Sequence, residues 1–248
     1  MINYIINLDR RPDKWEETIK NIKLSKELSK EKFIRISGFD GLNYKNEIIK
    51  YNLEKNVVYN YLKTYKIPIQ LGIFGCYMSH LIVLYNILQN DDIKDDDYAG
   101  IYEDDFQLAT NFDKKYKKFK KVNLYDLEVD FIYLGGRFNP GFKCESLEKT
   151  VHPNVFFRKD ADNIQDYDWH RTTHAYVVKK SICKKLITIL TTRFVNKLLK
   201  FEEIDKLYNS LYKDIKMFDY FQHLYYSKLN YKTDIQSDDN ILNLVILE

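Results

Sequence analysis

Tyr98-Ala99-Gly100-Ile101-Tyr102-Glu103-Asp104-Asp105, residues 98–105, decides how this chain is read. The apolar run Tyr98 to Ile101 has the length and composition of a buried strand, bounded upstream by the acidic connector Asn90 to Asp97. It runs straight into three carboxylates. Three adjacent acids at the exit of a core strand conflict with burial, because an unpaired buried charge is strongly destabilising. A divalent cation resolves that conflict: Mg2+ and Mn2+ take oxygen ligands and share carboxylates with phosphate-bearing ligands. In open α/β sheets, ligands bind beyond the carboxyl ends of the strands. Asp91, Asp92, Asp95, Asp96 and Asp97 lack the apolar approach and the ligand spacing of a calcium loop, so they read as a solvated connector.

Upstream, Ile2 to Asn7 reads as a fully buried first strand. Pro12 suits the first turn of a helix that carries Trp15, Ile19 and Ile22 at helical spacing. Phe33 to Ile36 is a second strand, ending in the turn Ser37-Gly38-Phe39-Asp40-Gly41. Strand, helix, strand is the pattern of a parallel sheet, and it sets the fold class as α/β. After an irregular region, Leu42 to Ile69, Gly72 and Gly75 open a helix with Met78, Ile82, Tyr85 and Leu88.

Downstream, Phe112, Tyr116 and Phe119 form the apolar stripe of a short helix whose exposed sides carry six lysines, read as a solvated face. Val129 to Leu134 and His174 to Val178 read as strands. Cys144 to Thr172 has no clear period, and a long irregular stretch inside a domain is commonly functional. The remainder is mainly helical, with two weak strands at Tyr231 to Ile235 and Leu242 to Leu247.

The 248 residues contain 45% hydrophobic side chains, ample for a core, and no linker or repeat divides them, so a single domain is expected. A formal charge of +3 gives no basis for bulk nucleic-acid binding. Cys76, Cys144 and Cys183 are dispersed and lack a CxxC pair, which indicates neither a disulfide framework nor a zinc site and suits a reducing compartment. The N-terminal apolar run is too short for a signal-peptide core or a membrane span, so the expected location is cytoplasmic.

Several segments, in order, resemble the family-25 glycosyltransferases, which include bacterial lipooligosaccharide galactosyltransferases and procollagen galactosyltransferases. They are Ile5-Ile6-Asn7-Leu8-Asp9-Arg10-Arg11-Pro12-Asp13, Arg35-Ile36 through Phe39-Asp40-Gly41, Leu71-Gly72-Ile73-Phe74-Gly75-Cys76-Tyr77-Met78-Ser79-His80, Tyr102-Glu103-Asp104-Asp105 and Thr173-His174-Ala175-Tyr176-Val177-Val178. Asp219-Tyr220-Phe221 and Gln236-Ser237-Asp238 are looser echoes. The resemblance implies a GT-A type, Rossmann-like open mixed sheet flanked by helices, with a helical C-terminal part. Residues up to about 105 would form its nucleotide half and those from about 106 to 248 its acceptor half. It also implies a UDP-sugar donor (often UDP-galactose or UDP-glucose), Mn2+ or Mg2+, inversion at the anomeric carbon, and a glycan, lipooligosaccharide or hydroxylysine-type protein acceptor. The same fold would also serve an inactive nucleotide-sugar-binding relative. A metal-dependent nuclease is the reading from another class.

The resemblance assigns roles as well. Asp105 would contact the metal; Glu103 would reach it through water, or contact the ribose; Asp104 would support them at the nucleotide-sugar site. Asn7, Asp9 and Arg10 fall where a nucleotide lies at the sheet edge, although Asp9 also suits a cap for the helix at Pro12. Asp40 is either a uridine contact or a turn residue, and Ser79 and His80 either donor-site or structural groups. Inverting transfer needs a carboxylate base outside the acidic triplet. Asp219, read as the start of a helix after Met217-Phe218, is the first choice, with a helix cap as its other reading; Asp168 is the second. His223, one turn after Asp219, would complete the metal shell, with His174 as its competitor. Cys76 reads as small core packing.

Overall fold

The computed structural model describes residues 1–52, 68–135, 137–138, 147–158, 169–170, 173–195, 204–220 and 224–227. Strand β1 (Ile2–Asn7) lies parallel to β2 (Lys32–Ser37) on one side and to β3 (Tyr98–Glu103) on the other. Its Tyr4-Ile5-Ile6 run is buried on both faces, as a parallel strand requires. Helix α1 (Pro12–Leu24) begins at its proline as expected. Its first turn is capped by no side chain, and the capping position is Arg11, so Asp9 is not a helix cap.

The region read as irregular contains a 3-10 turn (Gly41–Asn43) and helix α2 (Tyr44–Lys50), while residues 53–67 lie outside those described. Helix α3 (Pro68–Leu88) starts before Gly72 and therefore encloses both glycines rather than being opened by them. A Cβ on Gly41 would sit 1.7 Å from the Leu71 carbonyl oxygen, and one on Gly75 would sit 2.8 Å from the Phe39 carbonyl oxygen. Gly75 is thus where the chain leaving β2 touches the helix backbone, a contact that no side chain permits. By length and composition Leu71–Leu88 could cross a membrane. Here its Phe74, Val83, Leu84 and Ile87 are fully buried in the main core, so it packs as a core helix.

Beyond β3 come β4 (Phe106–Leu108), helix α4 (Phe112–Phe119), β5 (Phe131–Tyr133), β6 (Arg137–Phe138), β7 (Leu147–Lys149), β8 (Val155–Arg158) and β9 (Trp169–His170). Then follow β10 (Ala175–Lys179), α5 (Lys180–Val195), α6 (Ile204–Asn209), β11 (Met217–Tyr220) and β12 (Tyr225–Ser227). Among the described residues, eight strands form one mixed sheet in the order β2-β1-β3-β10-β5-β11-β8-β7. Strand β10 is antiparallel to both β3 and β5, and β11 is parallel to β5. Strands β1, β2, β3, β5 and β11 therefore end at one edge of the sheet.

Each face of the sheet carries a core. Ile6, Ile101, Tyr133, Tyr176 and Met217 meet α3, α5 and α6 on one face. Ile5, Tyr102, Ile132, Val177 and Phe218 meet α1 and α4 on the other. In α4, Phe112, Tyr116 and Phe119 are buried, and Lys117 and Lys120 pair with Glu27 and Glu31. The expected α/β architecture, an open mixed sheet flanked by helices, is present. A further local expectation fails at Asp219. Asp219 does not start a helix; it lies inside β11, opposite Tyr133 of β5 and Phe156 of β8. Met217 and Phe218 supply the alternating apolar pair of a strand, so the helical-turn relation drawn between Asp219 and His223 does not hold.

Candidate active site

The β3 ladder ends at Glu103, whose N–H donates to the His174 carbonyl at 3.1 Å. Past that bond, three carboxylates draw partners from distant segments. Glu103 Oε1 accepts from the Thr173 hydroxyl at 2.5 Å and lies 3.0 Å from His80 Nε2 on α3. His80 is fully buried, with Nδ1 2.8 Å from the Tyr176 hydroxyl and its ring stacked on that tyrosine. Burial pushes the Glu103 carboxyl up, but the His80 imidazole and the Thr173 hydroxyl outweigh it and hold the group below its ordinary value.

The next two acids behave in the opposite way. Asp104 Oδ2 accepts from Asn7 Nδ2 at 2.6 Å, and its carbonyl accepts from the Thr18 hydroxyl at 2.9 Å. Burial still pushes its carboxyl up to about 6. Burial, then repulsion from Glu103 and Asp104, pushes Asp105 up to about 7. Asp105 Oδ1 is buried and has no hydrogen-bond partner among the described residues. The buried Lys14 of α1 supplies positive charge to both aspartates, and its own desolvation lowers its pKa.

His80, Glu103, Asp104, Asp105 and Lys14 line a cleft of about 140 Å³ at the carboxyl edge of the sheet. Its far wall is the turn after β2. There Arg10 Nε meets Asp40 Oδ2 at 2.6 Å, while Asp40 Oδ1 accepts from the Leu42 N–H and caps the 3-10 turn. Ser79 holds this turn to α3: its hydroxyl accepts from the Phe39 N–H at 2.8 Å and donates to the Gly75 carbonyl at 2.7 Å. Asp40 and Ser79 are therefore structural partners that also face the cleft.

Seven of the residues singled out from sequence line this one cleft: Arg10, Asp40, Ser79, His80, Glu103, Asp104 and Asp105. Two others stand behind or outside its wall. Asn7 is buried, donates to Asp104 and the Arg11 carbonyl, and accepts from Arg35 Nε, so it positions the acidic exit. Asp9 is exposed and held by Arg35, Lys50 and the Ser37 hydroxyl, with Ser37 the main cause of a pKa lowered to about 2. Asp168 and His223 lie outside the described residues. His174 is buried, with Nε2 3.3 Å from the Tyr225 carbonyl, away from the cleft lining. Cys76 is half-buried; it packs against the core and also faces the cleft.

Sequence reasoning missed Arg11, Lys14, Thr173 and Tyr176. Arg11 and Lys14 line the cleft beside Arg10. Arg10, Arg11 and Lys14 recur three and four residues apart at a helix start, and that spacing was the available signal. Nothing local marks Thr173 or Tyr176, because their partners are 70 and 96 residues away.

The donor set also bears on a divalent cation. Two half-buried carboxylates with raised pKa values and one orphaned buried oxygen, Asp105 Oδ1, form a site that a hard, oxygen-seeking ion would satisfy. The residues fit such an ion.

The sheet and this cleft at its carboxyl edge define an α/β domain built to hold a ligand where parallel strands end. A family model described as glycosyltransferase family 25 (LPS biosynthesis protein) matches residues 1–208. The chain belongs to that family and is a glycosyltransferase. No curated protein matches it. Among solved structures, it is similar to the crystal structure of a glycosyltransferase involved in glycosylation of the major capsid of PBCV-1. The identity is 8%, the TM-score 0.52, and the match covers 99% of this chain and 98% of the other. At that identity the likeness is one of fold.

Proposed function

We propose that this glycosyltransferase is metal-dependent and inverting, and that it moves a hexose, galactose or glucose, from a UDP-sugar to a glycan, lipooligosaccharide or hydroxylysine-type acceptor. The observation that carries the reading is the buried, unpartnered Asp105 Oδ1, in a cleft that Arg10, Arg11 and Lys14 also line. Anionic and cationic groups lining one cleft suit a cation and a diphosphate together. Asp105, with Glu103 or Asp104 beside it, would hold Mn2+ or Mg2+, which supplies charge neutralisation for the leaving diphosphate. Lys14, Arg11 and Arg10, which line the same cleft, would hold phosphate oxygens. In this reading residues up to about 105 bind the nucleotide, and the later part of the chain presents the acceptor.

Transfer is a single displacement. The base takes the proton of the acceptor hydroxyl, the oxygen bonds to the anomeric carbon, and the bond from that carbon to the UDP oxygen breaks with inversion. Asp219 remains the candidate base on a new argument. Through the ladder it is level with Ile101, two residues before Glu103 on the same face. It therefore lies on the sheet face that Glu103 shares, three strand spacings, roughly 14 Å, across the sheet and two residues short of Glu103 along it.

A panel of UDP- and GDP-sugars with Mn2+, scored for binding and slow hydrolysis, tests the donor without requiring a known acceptor. The expected result is binding and slow release of sugar from UDP-galactose or UDP-glucose only. Preference for a GDP-sugar, or equal binding in EDTA, would overturn the reading.

A further inference from the structure

The cleft holds a second group of ligating atoms beside the acidic pair. Cys76 and His80 are one helical turn apart on α3 and face the same way. Cys76 Sγ, a ring nitrogen of His80 and a carboxylate oxygen of Glu103 all lie within 4.8 Å of one another. Two rigid elements, α3 and the end of β3, supply all three. Each of two ligands already has the outer partner that metal sites use. The Tyr176 hydroxyl holds His80 Nδ1 and leaves Nε2 facing Glu103, and the Thr173 hydroxyl holds Glu103 Oε1. The three residues also line the open cleft, which gives an ion its entry path and a fourth position for water.

From this geometry we propose that Cys76, His80 and Glu103 form a binding site for Zn2+ or a similar borderline-soft cation, distinct from the oxygen site at Asp105. A thiolate, an imidazole and a carboxylate together suit zinc, and the soft thiolate disfavours Mg2+ and Mn2+. Three protein ligands with one open position is the pattern of an accessible zinc site, not a closed structural one. Binding releases the Cys76 thiol proton to solvent, while neutral His80 keeps its one ring proton on Nδ1, donated to the Tyr176 hydroxyl, and presents Nε2 to the ion. The Tyr176 hydroxyl both donates and accepts, so it can hold the ring in either tautomer. Dispersed cysteines without a CxxC pair pointed away from zinc; the structure supplies the third ligand from a strand 23 residues beyond His80. Resting on the donor-site reading above, zinc here removes Glu103 from the donor site and inhibits transfer.

The test of the site itself needs no turnover. Co2+ is titrated into the reduced, metal-free protein while its absorption is recorded. A thiolate-to-cobalt charge-transfer band should grow to one equivalent and be bleached by Zn2+. It should vanish in Cys76→Ser and persist in Cys183→Ser and Cys144→Ser. Tyr176→Phe should weaken zinc binding by about tenfold to a hundredfold, the usual effect of losing an outer partner. If Cys76→Ser fails to fold, the unaltered protein decides: Zn2+ should slow alkylation of Cys76 at least about tenfold, since a metal-bound thiolate is withdrawn from the reagent. Absence of the band, its survival in Cys76→Ser, or alkylation unaffected by zinc would overturn the proposal. None of these readouts depends on UDP, so the zinc site and the donor reading can fail separately.

Discussion

Strands β3 and β11 lie in one sheet, run the same way and both carry acids, yet they treat them differently. At β3 the ladder stops at Glu103, and the acids beyond it recruit His80 from α3, Thr173 from before β10, Asn7 from β1 and Lys14 from α1. At β11 the acid sits within the ladder, paired on both sides, and is 7% exposed. An acid past the end of a strand is placed by whatever converges on it, and one within a strand is placed by its neighbours' backbones. The first kind gathers charge around an opening. The second is a fixed point on the sheet, suited to act on something brought to it. The two regions should therefore fail differently when altered.

The largest effect is expected at β11. Asp219→Asn should lower transfer by roughly a hundredfold to ten-thousandfold, the usual contribution of a general base, while UDP affinity in Mn2+ stays unchanged. Transfer assays beside calorimetric titration check this. Near-normal transfer with a lowered melting temperature would make Asp219 a structural acid and erase the contrast. Next is Gly41→Ala, which drives a Cβ against the Leu71 carbonyl and displaces the Asp40 wall of the cleft. Overpacking of this kind costs about 1–3 kcal/mol and lowers the melting temperature by about 2–4 °C per kcal/mol. UDP affinity should fall with it, because that turn lines the same cleft as the acids at the end of β3; calorimetry and thermal melts on one sample read both.

A smaller effect concerns pH. Asp104 and Asp105 have raised pKa values, about 6 and about 7, so the folded chain holds protons that the unfolded chain has released. Their contribution is present below their ordinary value and is lost as pH rises to about 7. Glu103 is lowered, and its contribution is lost only in more acidic solution. Metal-free protein should thus melt lower at pH 7.5 than at pH 5, by on the order of 5 °C. Asp105→Asn should flatten that slope, and Asp219→Asn should not. Equal slopes in all three proteins would show that the strain at the β3 exit is not where it is placed here.

The same contrast explains what could be read from sequence. β1, α1, β2 and β3 were legible because apolar runs, Pro12 and helical spacing are local signals, and β1 and α1 fall at the expected residues. The acidic exit was legible as a conflict between burial and charge. Asp219 was misplaced because Met-Phe before an acid serves a strand or a helix equally well, and only pairing with β5 and β8 decides. The glycines of α3 were recognised as a motif, but their purpose, contact with the chain after β2, depends on a partner more than 30 residues earlier. Lys14 stayed hidden because a lysine near a helix start usually faces water, and its burial follows from acids some 90 residues later.

Asp105 is proposed to anchor a cation that holds the nucleotide diphosphate. Calorimetric titration of UDP into the unaltered protein and into Asp105→Asn, each with Mn2+ and with EDTA, tests it most directly. The account predicts tight binding only for the unaltered protein in Mn2+, with at least about a tenfold loss in Asp105→Asn, since the ion loses a charged ligand beside the diphosphate. Unchanged Mn2+-dependent UDP binding in Asp105→Asn would contradict it.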